Sequence, residues 1–450
     1  MAIDYMLDVF RAHSGKDAIV WRDQPFSYGW LLDATAEWRD RLAAHAVAPG
    51  AVVSLEADFS PNAIALLLAL IAHRCVVVPL TDSVGPKKAE FREIAQVEVA
   101  IDLARNDHAG IRRTGVEATH ELLRTLKQAG NPGLVLFSSG STGKSKAAIH
   151  DFVPLLEKFK VARRSLRTLS FLLFDHIGGV NTLLYTLSNG GCLVTVQERS
   201  PDAVCDAIER YRVQLLPTSP TFINLLLLSD AYKRHDLGSL EMVTYGTEAM
   251  PETTLARFHT LFPEIQLLQT YGLSELGILR SKSKSSDSLW VKIGGEGFQT
   301  RIVDGLLQIK AQSAMLGYLN APSPFTPDGW FATGDVVEVD GEYLKILGRQ
   351  SEIINVGGEK VYPAEVESTL QLMDGVEDAV VSAERNAITG QIVHARVRLK
   401  TAETAAEFGK RMRLFCRGRL PTFKVPQKVV VVGEALHGER FKKMRREGNG

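Results

Sequence analysis

Runs of Val, Ile and Leu alternate with longer stretches of helical period through most of the chain. Val52-Val53-Ser54-Leu55 has the texture of a strand covered on both faces, Ala63 to Ile71 that of a buried helix, and Val76 to Leu80 that of the next strand. Uninterrupted apolar strands belong to sheets layered between helices, so the pattern predicts an α/β fold. Past Trp330 the texture changes. Val336-Val337-Glu338-Val339 and Tyr343-Leu344-Lys345-Ile346 alternate with period two on either side of Asp340-Gly341, which predicts a hairpin. At Leu347-Gly348-Arg349-Gln350-Ser351 a glycine followed by polar residues separates two apolar patterns. The expected division is a large N-terminal domain of layered sheets and helices over 1–347, a linker over 348–352 and a smaller α+β domain over 353–450. No internal repeat or low-complexity segment interrupts it.

Composition changes this picture little. A chain of 450 residues exceeds what one core usually organises, and 45% apolar with 23% charged residues excludes disordered and fibrous classes. Lys plus Arg equals Asp plus Glu at 52 each, so no net field draws the molecule to nucleic acid or an anionic membrane, and neither partner is expected. Cys75, Cys192, Cys205 and Cys416 lie far apart without CxxC or Cys/His spacing, and are expected as reduced core thiols. The N-terminus lacks a basic region followed by an apolar one, and the stretch from Ala63 to Ala72 is too short to span a bilayer. A cytoplasmic location is expected.

Gly133-Leu134-Val135-Leu136-Phe137 reads as a buried strand running into Ser138-Ser139-Gly140-Ser141-Thr142-Gly143-Lys144-Ser145-Lys146. Glycines let a backbone turn its N–H groups toward an anion, hydroxyls add donors and lysines add charge, so the segment suits a polyphosphate. Gly143-Lys144-Ser145 ends like the loop of P-loop NTPases, but the first glycine of that motif would fall on Ser138, where the tight turn is needed. Taken alone, the same composition also suits a flexible surface loop.

Further segments follow in order. They are Tyr245-Gly246-Thr247-Glu248-Ala249, Tyr271-Gly272-Leu273-Ser274-Glu275, Met315-Leu316-Gly317-Tyr318-Leu319-Asn320, Thr333-Gly334-Asp335, Gly348-Arg349, then Gly357-Gly358-Glu359-Lys360 with Tyr362-Pro363-Ala364-Glu365, and finally Phe423-Lys424-Val425-Pro426 and Lys443-Met444-Arg445-Arg446. The ordered set resembles the acyl-adenylate-forming superfamily of AMP-dependent synthetases and ligases, which includes acyl-CoA synthetases, peptide-synthetase adenylation domains and luciferases. Each motif is short, but the resemblance covers nearly the whole chain. Departures occur at Ser145 and Ala147, where relatives carry Pro and Gly, and at Ser351, where they carry an Asp or Lys hinge residue.

The resemblance implies a role for each position. ATP and AMP would be held by Ser138, Ser139, Gly140, Ser141, Thr142, Gly143 and Lys146 of the loop, and by Gly246, Thr247, Glu248, Tyr271, Gly272, Ser274, Asp335 and Arg349. Tyr271 offers a flat face to adenine, Glu275 a hard oxygen to Mg²⁺, and Asp335 two acceptors to a ribose diol. Alone, these are equally a core tyrosine, a helix-start carboxylate and a turn. Asp175, His176, Leu276 and Gly277 are expected at the acid pocket, with His176 favoured over Asp175, which would cap a helix start or meet an amino group. Gly357, Gly358 and Glu359 would admit a thiol arm, or simply form a hairpin turn.

The implied reaction has two halves: the acid attacks the α-phosphorus of ATP to give an acyl-AMP, and a thiol then takes the acyl group as the C-terminal domain rotates. Lys443, with Glu275 and His176, is the expected catalytic set; Lys443 is preferred to Lys442 because only it has an apolar neighbour followed by arginine in the family register. Coenzyme A is the expected acceptor, and the phosphopantetheine of a discrete carrier protein the alternative, since the chain ends at Gly450 without a carrier domain. A non-catalytic nucleotide-binding regulator on the same fold is the reading from a different class.

Overall fold

The computed structural model describes residues 1–104, 106–139, 145–438 and 441–445. Two seven-stranded sheets dominate the first part of the chain. In one, Gln266–Gln269, Met242–Tyr245, Leu215–Thr218, Arg167–Leu169, Cys192–Val194 and Asp17–Trp21 are parallel neighbours in that order, closed by the antiparallel edge strand Gln24–Ser27. In the other, Gly133–Ser139, Val76–Leu80, Val52–Glu56 and Val99–Leu103 run parallel between antiparallel strands on both flanks.

The helix Pro61–Ala72 shows why the layers hold. Ser60 caps its first turn by accepting from the Ala63 N–H, Pro61 starts it with a preset φ, and nearly every residue after Asn62 is fully buried. A helix apolar all round must be enclosed on all sides. It lies in a core that draws Ile19 and Leu193 from the first sheet and Val53, Leu55, Val77 and Leu134 from the second.

A six-stranded antiparallel sheet from Ser281–Ser283 to Tyr343–Arg349 follows, with its own core around Leu276, Val291, Leu307, Ile309 and Phe331. The hairpin expected at Asp340-Gly341 forms, with Asp340 paired to Tyr343 and Gly341 at φ +59. After the short turn Gln350–Glu352, a five-stranded sheet over residues 354–431 packs with the helices Pro363–Gln371 and Ala405–Cys416. All four cysteines are buried and unbridged. Among the described residues no helix is long and apolar enough to cross a membrane.

The separate C-terminal core carries its own consequence. Phe408 is fully buried in it, so Phe408→Ala is expected to cost about 3–5 kcal/mol locally. Hydrogen exchange should rise across 354–431 while the two large sheets stay protected; uniform acceleration everywhere would contradict an independent core.

Candidate active site

The strands Leu215–Thr218, Met242–Tyr245 and Gln266–Gln269 are parallel and end at one edge, where open α/β sheets place their ligands. Their following loops are tied to each other. Glu248 accepts from the Thr221 N–H at 2.9 Å and from the Thr221 hydroxyl. A Cβ on Gly246 would fall 2.8 Å from the carbonyl oxygen of Thr270, so only glycine permits this approach. The next residue, Thr247, holds φ +75, which is rare for a β-branched side chain and is the kind of strain found at binding sites.

Thr247 lines a recess at this edge. Phe171, Leu172, Leu173 and His176 form one wall, and Phe441 and Lys442 close it from the end of the chain. His176 is also the N-cap of the helix Ile177–Ser188: its Nδ1 accepts from the Gly178 N–H at 3.3 Å, which puts the proton of a neutral ring on Nε2. A Cβ on Gly179 would overlap the carbonyl oxygen of Leu173, so the helix can start against this loop only with glycine there.

Three residues expected at the acid pocket lie outside this recess. Asp175 is buried and accepts from the Thr81 hydroxyl at 2.9 Å and the Ser83 hydroxyl at 3.5 Å, which makes it an anchor between loops and no part of the recess wall. Leu276 is fully buried in the core of the antiparallel sheet, where it presents no surface to a substrate. Gly277, at φ +80, is buried against Leu155 and Ser313, away from the recess lining.

The residues expected to hold nucleotide form two clusters. Tyr271 is buried and its hydroxyl donates to Asp335 Oδ2, while Arg349 Nε meets Asp335 Oδ1 at 2.9 Å. Burial pushes the Asp335 carboxyl above its ordinary value against the opposing pull of Arg349. In the second cluster the Tyr318 hydroxyl donates to Glu275 Oε1 at 2.7 Å, and Lys146 Nζ sits 5.1 Å over the Tyr318 ring. Gly272 lies where a Cβ would come within 2.8 Å of the Gly277 carbonyl, and the Ser274 carbonyl accepts from His150 at 2.6 Å. Burial keeps His150 below its ordinary pKa.

Ser138 stands opposite Lys146, and Ser139 opposite Ser145, in the pairing of two strands; Gly140, Ser141, Thr142 and Gly143 lie outside the described residues. The base of this loop is pinned by Asn320, whose Oδ1 accepts from Ala147 N at 3.0 Å and whose Nδ2 donates to Ser145 O at 2.9 Å. Gly357 and Gly358, at φ +60 and +94, are the two turn residues between Val356 and Glu359, with open space where their Cβ atoms would be.

The largest departure concerns the terminal lysines. Gly438 N donates to Lys442 O at 3.1 Å and Met444 N to Leu436 O at 3.0 Å, so residues 442–444 run as an extended arm paired with residues 436–438. Successive side chains of such an arm face opposite ways. Lys442 therefore turns to the recess, and Lys443 turns into the C-terminal domain, 2.8 Å from Ala379 O, 3.3 Å from Glu367 and 3.6 Å from Asp378. Burial alone would lower the Lys443 ammonium, but Glu367 and Asp378 outweigh it and hold it above the ordinary value. The structure thus brings Lys442, not Lys443, together with His176 and Thr247. Sequence register ranks apolar neighbours, whereas strand alternation, legible in the same residues, sends the two lysines to opposite sides. Tyr318 and Asn320 were within a quoted motif but carried no assigned contact.

The family model for AMP-binding enzymes matches residues 8–304, and that for the AMP-binding enzyme C-terminal domain matches 365–443. The indoleacetate–CoA ligase of Aromatoleum aromaticum is 27% identical over 93% of this chain and 92% of its own length. A 3-[(3aS,4S,7aS)-7a-methyl-1,5-dioxo-octahydro-1H-inden-4-yl]propanoyl:CoA ligase of Rhodococcus jostii is 29% identical over 66% of this chain but only 60% of its own length. The solved anthranilate CoA ligase AuaEII in complex with anthranoyl-AMP superposes with a TM-score of 0.83 at 19% identity, covering 98% of this chain and 95% of that one.

Two outcomes follow from the geometry. Gly179→Ala should destabilise the fold by about 1–3 kcal/mol through the clash with Leu173, visible as a lower melting temperature; an unchanged melt would mean the loop yields freely. The second concerns acid. Burial alone would raise the Glu367 carboxyl, but Arg445 and Lys443 outweigh it and hold it at about 2 against an ordinary 4.5. A depressed folded-state pKa means that this stabilisation is complete above about pH 4.5 and is lost as pH falls toward 2. Wild-type melting temperature should fall more steeply over that window than that of Glu367→Gln, and parallel curves would count against the pairing.

Proposed function

The chain belongs to the AMP-binding enzyme family, the acyl-adenylate-forming superfamily, and on that premise we propose that it joins a carboxylic acid to coenzyme A through an acyl-AMP. The observation that carries the proposal is the recess in which Lys442 and His176 meet beside the strained Thr247. A carboxylate bound there attacks the α-phosphorus of ATP, and pyrophosphate leaves. The Lys442 ammonium stabilises the charge shared by the carboxylate and α-phosphate oxygens as it develops. Phe171, Leu172 and Leu173 keep water from the mixed anhydride once it has formed.

Asp335 accepts the ribose hydroxyls, and Arg349 holds it in place. Glu275, steadied by Tyr318, over whose ring Lys146 sits, is a single carboxylate, and such a donor fits Mg²⁺, which retains waters and binds few protein oxygens. When bound there, Mg²⁺ would neutralise charge on the phosphate oxygens. In the second half the thiol sulfur attacks the acyl carbonyl, the acyl–phosphate bond breaks, and AMP departs with the thiol proton passing to solvent. The Gly357-Gly358 turn, whose flanks are open, is the proposed approach for the pantetheine arm. A carrier-protein phosphopantetheine presents the same chemistry and is the alternative acceptor.

Aryl and arylalkanoic acids are the proposed substrate class, supported by the apolar recess wall and by the indoleacetate- and anthranilate-ligating relatives. A panel of such acids, with fatty and dicarboxylic acids as contrast, measured for ATP-dependent pyrophosphate release, tests both reaction and class. Release with none of them would sink the proposal.

Lys442→Ala should lower acid-dependent ATP–pyrophosphate exchange by about two orders of magnitude, the usual cost of one lost transition-state charge contact. Thioester formation from supplied acyl-AMP should persist, because the charge that Lys442 meets has already been resolved. Full exchange by Lys442→Ala would remove the residue from the site. Glu275→Gln is expected to raise the Mg²⁺ concentration needed for exchange, and an unchanged titration would unseat Glu275 as its ligand.

A further inference from the structure

Glu367 is fully buried in the C-terminal domain, in the helix Pro363–Gln371, yet it is the most heavily bonded carboxylate in the structure's described part of that domain. Its Oε1 accepts from Val381 N at 3.0 Å and from Arg445 Nε at 3.0 Å; its Oε2 accepts from Arg445 Nη2 at 2.8 Å and Lys443 Nζ at 3.3 Å. Arg445 also reaches Glu352 in the linker turn at 2.9 Å. Both cations belong to the arm that carries Lys442, and they stand at alternate positions on its opposite face.

The arm is gripped from the other side as well. Phe441 packs between Phe171 and Phe222, with ring centroids 5.1 and 5.4 Å away, and its carbonyl accepts from the Ser219 hydroxyl at 2.8 Å. Lys443 N donates to Glu248 Oε2 at 3.3 Å. Lys442 is thus flanked by an aromatic anchor on the large domain and an ionic anchor on the small one.

We propose that Glu367 and Arg445 are positioning residues for adenylation: by seating the opposite face of the arm in the C-terminal domain, they fix where the Lys442 ammonium stands in the recess. The inference rests on the reading of Lys442 as the adenylation lysine. A long, flexible side chain contributes fully to a transition state only when its backbone is held, because misplacement by about 1 Å can cost on the order of a hundredfold. The bidentate Arg445–Glu367 pair supplies that hold with defined direction, which a lysine in place of Arg445 would not reproduce. The depressed Glu367 carboxyl keeps the pair charged throughout the neutral range.

The test is a double-mutant cycle on full-length protein, using the acid that releases most pyrophosphate in the panel above and its synthetic acyl-AMP. Arg445→Gln should lower the kcat of ATP–pyrophosphate exchange by about tenfold, with KM for acid and ATP within about twofold and thioester formation from acyl-AMP nearly unchanged. In a Lys442→Ala background, Arg445→Gln should change the residual exchange by less than about twofold, since the group it positions is gone. Glu367→Gln, which keeps the side-chain shape, should repeat the pattern, and Arg445→Lys should restore little. Equal factors in both backgrounds, or equal loss of both half-reactions in protein that retains its circular dichroism, would overturn the positioning role. Wild-type exchange by Lys442→Ala alone would overturn the reading beneath it, a result the single mutant separates from the first two.

Discussion

Close approach of backbone to backbone is the constraint on which this site depends. Gly179 touches the Leu173 carbonyl, Gly246 the Thr270 carbonyl, and Gly272 the Gly277 carbonyl, each at a distance that a Cβ would close. These contacts nest the loops at the edge of the parallel sheet, and the side chains expected to meet ligands stand next to them: His176, Thr247 and Glu275. Loops nested this closely hold the backbone beneath those side chains, so less conformational entropy is lost in placing them.

Charge does in the small domain what glycine does in the large one. Burying Glu367, Lys443 and Arg445 together is costly in desolvation, and hydrophobic residues of the same volume would give equal or better stability. What an apolar cluster would lack is direction. The paired forks of Arg445 and Glu367 admit one orientation of the arm, and alternation along that arm then decides which lysine faces the recess. The specificity of the arrangement is therefore ionic, while its stability comes from the Phe408-centred core beneath it.

Much of this was legible beforehand. The apolar runs disclosed the layered α/β part, the Asp340-Gly341 hairpin formed as expected, and the motifs fall in two clusters around Asp335 and Glu275. Where an expected site residue lies away from the recess, one cause recurs. Asp175 and Leu276 were assigned by adjacency to a motif, but neighbours in a chain diverge: Asp175 was drawn to Thr81 and Ser83, and Leu276 to a core. Lys443 was chosen by register against an apolar neighbour, although Met444 is one of the exposed positions of the arm. Partners distant in sequence, such as Glu367 for Arg445 or Tyr318 for Glu275, have no local signature at all.

The linker turn joins these two systems. Arg349, at its start, pairs with Asp335 on the large domain's antiparallel sheet, and Glu352, at its end, pairs with Arg445 on the terminal arm. The two contacts have opposite polarity: the linker offers a cation to Asp335 and an anion to the arm. The short segment between the antiparallel sheet and the C-terminal core thus carries one ion pair to each side, to Asp335 at its start and to Arg445 at its end, so the terminal arm and the sheet are joined through it by contiguous charges.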